Sequence, residues 1–131
     1  MFDLMFDVQT RKRVENTLPP ELLASISAYY RRVTTDAYPM NRLVALVMVL
    51  TLLAIGAEIV EGANPGWIGS LALAGSGVIP TLTRTVPNAR RLGSGQDSAE
   101  KQSALARAIY RDHRFSLARM SLVLGLQVIA R

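Results

Sequence analysis

Few residues in this chain are suited to chemistry, and each type permits only a narrow range of it. His113 is the only histidine, and no second histidine or nearby carboxylate set stands at metal-ligand spacing. The chain has no cysteine, which excludes disulfides, thiolate metal sites and cysteine nucleophiles. No Ser-His-Asp arrangement can be argued from the order of residues. Gly75-Ser76-Gly77 resembles the start of a phosphate loop, but no Gly-Lys-Ser/Thr follows and Pro80 arrives instead. These residues therefore imply neither a metal nor a cofactor. Binding chemistry remains, and Arg119 is the most informative residue for it. It lies inside an apolar stretch, where a charge costs roughly 2.5–3.5 kcal/mol on insertion scales. Such an arginine either snorkels to the surface or turns inward and holds a specific acceptor with its planar fork. Glu58, near the far end of another apolar stretch, suits an interface.

The stretch that must position these residues runs from Leu43 to Thr83. Leu43 to Val60 carries one charge, Glu58, and Pro65 to Thr83 carries none. As helices, each half is roughly 27 Å long, close to the hydrocarbon thickness of a bilayer. Glu61-Gly62-Ala63-Asn64 between them is polar and turn-forming. A soluble helix shows a polar face, and Leu43 to Ala57 shows none. The pattern predicts a transmembrane hairpin, with spans at about 42–60 and 65–83. In the second span Gly66, Ser70 and Ala74 fall four apart, so this face suits close helix packing in lipid.

The flanks are polar and basic. Thr17-Leu18-Pro19-Pro20-Glu21 opens an amphipathic helix over about 19–37, with Leu22, Ile26, Tyr29, Val33 and Ala37 at helical spacing. Arg84 to Gln96 reads as a polar connection. From Asp97 a long helix begins in water and turns apolar near Phe115, which makes 115–130 a third, shorter span. Met1 to Val8 is apolar apart from Asp3 and Asp7 and has no basic n-region of a signal peptide. It suits an interfacial turn or the tail of a longer apolar helix.

The net charge is +5, and the basic residues cluster on either side of the hairpin without interleaved aromatics. That distribution suits anionic lipid headgroups better than nucleic acid. The hairpin loop has no Lys or Arg, so the positive-inside rule puts the N-terminus and both basic flanks in the cytoplasm. The fold expected is all-α: one membrane domain over 1–131, a bundle of two or three spans plus the N-terminal amphipathic helix. Its partners would be the lipid bilayer of the inner membrane and either a second copy or a larger membrane protein. A ligand site is expected at the cytoplasmic ends of the spans, among Asn41, Asn88, His113, Arg114 and Arg119, for a hydrophobic aromatic or carboxylate ligand.

Leu18 to Glu21, then Thr85-Val-Pro-Asn-Ala-Arg-Arg-Leu92, then a last helix entering the membrane at His113-Arg114 together resemble the anthrone-oxygenase-like family of small four-helix membrane proteins. In that family a residue commonly separates the proline and asparagine that are adjacent here as Pro87 and Asn88. The resemblance implies a further span upstream, of which Met1 to Val8 is the remnant. For a few members it implies cofactor-free oxidation of aromatic polyketides. Two functions thus stand beside a membrane protein of unassigned activity: an accessory subunit of a larger complex, and an oxygenase acting on a hydrophobic aromatic.

Overall fold

The computed structural model describes residues 7–10, 17–62 and 65–129. The reading of Met1 to Val8 as a helix tail lies outside the described residues except for Asp7 and Val8. Four helical rods make up the rest, and no strand occurs among the described residues.

The first rod is α1, Pro20–Arg31, continued by a wide π turn over Arg32–Asp36. Pro20 fits the first turn because its missing N–H would be unpaired there anyway, and Glu21 complements the positive end. Leu23, Ile26 and Tyr30 form its buried face. The second rod is α2, Met40–Glu61, 22 residues of which only Ile55 is buried. The third rod runs from 65 to 94 without leaving helical backbone: α3 (Pro65–Pro80), a π turn (Thr81–Thr85) and α4 (Val86–Ser94). Gly95 ends it in the left-handed conformation, φ 66°, which a glycine adopts without steric cost. The fourth rod is α5, Ala99–Ile129, 31 residues long.

The sequence expectation of a connection over Arg84 to Gln96 is corrected here, because most of that stretch is α4. Thr85, Ala89, Leu92 and Gly93 are all buried, at i, i+4, i+7 and i+8, while Arg90, Arg91 and Ser94 face out. Its basic residues are one face of a short amphipathic helix. Arg91 closes the turn after it, donating two hydrogen bonds to Asp97 at 2.7 and 2.8 Å. Those bonds hold the Asp97 carboxyl below its ordinary pKa. Asp97 therefore serves the turn with its carboxylate.

Two separate cores follow. The first joins Leu18, Leu23, Ile26, Tyr30, Ala89, Leu92, Ala106 and Ile109, from α1, α4 and the first half of α5. Ser103 ties it together: its hydroxyl donates to the Ala99 carbonyl and accepts the Leu18 N–H at 2.9 Å. The second core is thin. It holds Ile55, Ala74 and Val123, with Trp67, Leu71 and Met120 packed on it. Ser70 and Ala74 are buried there and Gly66 is half-buried. The face continues to Gly77, where an added Cβ would stand 3.1 Å from Met120 Cε, and Gly69 faces Leu126 in the same way at 3.5 Å. Small residues thus let α3 lie close on α5. By length and composition, α2 alone among the described residues qualifies to cross a membrane. The α-helical part of the expected 65–83 span stops at Pro80 after 16 residues.

Candidate functional site

On the third rod, Pro80 lies in sequence between Ala74 of the second core and Ala89 of the first. Pro80 has no N–H, so it cannot donate to the carbonyl of Ser76 four residues earlier. Arg119 on α5 supplies the missing donor: its Nη1 donates to the Ser76 carbonyl at 2.9 Å. The arginine stem passes Gly77, where a Cβ would lie 3.9 Å from Cδ, and the guanidinium stands 6.0 Å from the Phe115 ring centre. Arg119 is half-buried, and its acceptor is backbone, in an exposed bond.

After Pro80 the helix widens. The Val86 N–H donates to the Thr81 carbonyl, five residues back, and Pro87 again lacks a donor. Thr81 and Thr83 hydroxyls donate to the Gly77 and Ile79 carbonyls, both at 2.8 Å. Widening turns Pro80, Thr81, Arg84 and Thr85 toward α5, where Arg111, Asp112, Phe115, Ser116 and Arg119 face them across a cleft of about 260 Å³. Asp112 is its only carboxylate. Its Oδ2 accepts from the Thr85 hydroxyl at 3.2 Å and lies 3.7 Å from Arg84 Nε.

Beside the cleft, on another face of α5, lies a buried polar set. Asp7 is fully buried. Tyr30 Oη donates to its Oδ1 at 2.7 Å, and His113 Nδ1 lies 2.6 Å from Oδ2. The Thr10 hydroxyl donates to the Asp7 carbonyl at 2.7 Å. This arrangement fastens the segment around Asp7 to α1 and α5. Tyr30→Phe should cost about 1–3 kcal/mol, because a buried acceptor then loses a donor. The same change in an Asp7→Asn background should cost less, since a neutral amide tolerates a missing partner better than a carboxylate. Denaturant titration of the four proteins in mild detergent measures both. Equal costs in the two backgrounds would remove Tyr30 from the account of Asp7.

The sequence-predicted residues do not assemble into one site. Arg119 alone lines the cleft. His113 faces Asp7. Asn41 joins the start of α2 to the first π turn, donating from Nδ2 to the Thr34 carbonyl at 2.8 Å, while its Oδ1 is buried without a partner among the described residues. Asn88 is half-buried on α4, and exposed Arg114 lies 5.7 Å over the Tyr110 ring. Arg84, Arg111 and Ser116 were missed. Arg111, Phe115, Ser116 and Arg119 fall at i, i+4, i+5 and i+8, a single helical face, and that spacing was the available signal. Among the described residues no group of three or more His, Asp or Glu is placed to hold a metal. The chain matches no family model, no curated protein and no solved structure.

Proposed function

We propose that this chain is a small integral membrane protein of the anthrone-oxygenase-like type, which holds a basic cleft at the cytoplasmic surface of the inner membrane. The observation that carries this reading is the bareness of α2. Its 22 residues are apolar almost throughout, and only Ile55 is buried. Leu46, Val47, Leu50 and Leu53 are all more than half exposed. The apolar surface continues on α3 at Ile68 and Ile79, and on α5 at Leu117, Leu122, Leu124 and Val128. Apolar side chains exposed on three neighbouring helices are disfavoured in water, where large apolar patches are uncommon. Lipid covers it in this reading, with α2 spanning and α3 and α5 packed beside it. The first core and the basic residues stay in water.

The accessory-subunit reading draws on the same bare face, covered by a larger membrane protein in place of part of the lipid. Oxidation of a fused aromatic draws less support. At about 260 Å³ the cleft is smaller than the roughly 300–1,000 Å³ of pockets that enclose drug-sized ligands.

The protein should stay with membranes through carbonate and high-salt washes. Monodisperse protein recovered without detergent would refute the membrane reading. Orientation is tested in the cysteine-free chain. An impermeant thiol reagent added outside should label Glu61→Cys and spare Ser94→Cys, since the positive-inside rule puts the basic flanks in the cytoplasm.

A further inference from the structure

We propose that the cleft between the Thr81–Thr85 π turn and α5 binds the phosphate group of an anionic phospholipid. The lipid source rests on the membrane reading above, whereas the phosphate chemistry rests on the cleft alone. Three arginines and one aspartate line it, Arg84, Arg111, Arg119 and Asp112, leaving two positive charges. Asp112 is already occupied by Thr85 and Arg84. Arg111 makes no ion pair among the described residues, and Arg119 uses Nη1 on Ser76, which leaves its other nitrogens to donate. Ser116 adds a hydroxyl. Guanidinium forks match phosphate oxygens in pairs, which is the strongest form of such recognition. The volume admits a headgroup and excludes a large ring system.

The surroundings point to a lipid. Phe115 lines the cleft and is 57% exposed, and Ile79 and Leu117 nearby in sequence are 59% and 54% exposed. From them the bare faces of α3 and α5 run on to Ile68 and Val128. A phosphate seated among the arginines would therefore leave its acyl chains against apolar side chains. An anion in a basic notch with an apolar run below it has the form of a phospholipid.

The experiment uses the whole chain in a phosphate-free maltoside detergent. Thermal stability is read while phosphatidic acid, the matching diacylglycerol or inorganic phosphate is titrated at constant ionic strength. Phosphatidic acid should raise the melting temperature in a saturable way, and diacylglycerol should not. Arg111→Gln should weaken that response roughly tenfold, the equivalent of one charge-assisted hydrogen bond. Arg111 is exposed, so the variant should fold. Arg90→Gln removes the same charge from an exposed site outside the cleft and should leave the response unchanged. Equal losses in the two variants, or none in Arg111→Gln, would overturn the site. A full response to inorganic phosphate with nothing added by the lipid would overturn the lipid assignment. Failure of the membrane reading shows itself separately, as protein stable without detergent, and the phosphate titration then still tests the cleft in plain buffer.

Discussion

Gly93→Ala should destabilise the protein by about 1–3 kcal/mol, the range for overpacking a close contact, and Gly93→Val by more. A Cβ at position 93 would lie 2.6 Å from the Arg31 nitrogen, 2.9 Å from its Cα and 3.0 Å from the Tyr30 carbonyl carbon. All three atoms are backbone, so no side chain can swing aside. Separating the helices would pull Leu92 and Tyr30 out of the first core, where both are buried. Ser94→Ala, one residue on and exposed, is the control and should stay within about 0.5 kcal/mol. Denaturant titration in mild detergent compares the three variants. If Gly93→Ala unfolds with Ser94→Ala, then α1 and α4 do not meet backbone to backbone.

Arg119→Met should cost about 1–3 kcal/mol, the range for losing a hydrogen bond from a charged donor. The distinguishing measurement is a double-mutant cycle with Pro80→Ala. Alanine restores the N–H that Pro80 withholds from the Ser76 carbonyl. In that background Arg119→Met should cost much less, with a coupling of about 0.5–3 kcal/mol between the sites. Arg119→Lys should fall between, because an ammonium on a flexible stem also donates but lacks the fixed fork. Strict additivity would show that Arg119 serves some other acceptor, and the account of the helix joint would have to be given up.

The helical elements announce themselves in sequence through period and composition. Pro20 and Glu21 mark the start of α1, and the unbroken apolar run marks α2. Residues 84–96 do not, because Pro87, Arg90, Arg91 and two glycines outweigh a hydrophobic pattern only four residues strong. The π turns were illegible for a different reason. Proline signals a broken helix, but whether the chain bends, widens or stops depends on who supplies the lost donor. Here that donor is Arg119, 39 positions beyond Pro80. Arg119 could be singled out as inward-facing or snorkelling from its type and depth alone, yet its acceptor could not. Asp7 and His113 stand 106 positions apart, so no local spacing could pair them. The cleft is hidden in the sequence because its arginines count there only as charges flanking the apolar stretch. Their helical phase held the information, and it needed two facing helices to become a site.

The first core has a consequence for how the protein is made. Its parts lie far apart in the chain: Leu18 and α1 emerge first, α4 follows, and Ser103, Ala106 and Ile109 come later still. The Leu18–Ser103 hydrogen bond spans 85 positions. At about 5–20 residues per second, Leu18 waits roughly 4–17 s before Ser103 is made. During that interval Leu23, Ile26 and Tyr30 lack the α5 side of their core, Ala106 and Ile109. Completion of the first core is therefore a closing event that waits for α5. A nascent chain stalled before α5 would leave this core half-built, a ready target for quality-control proteases.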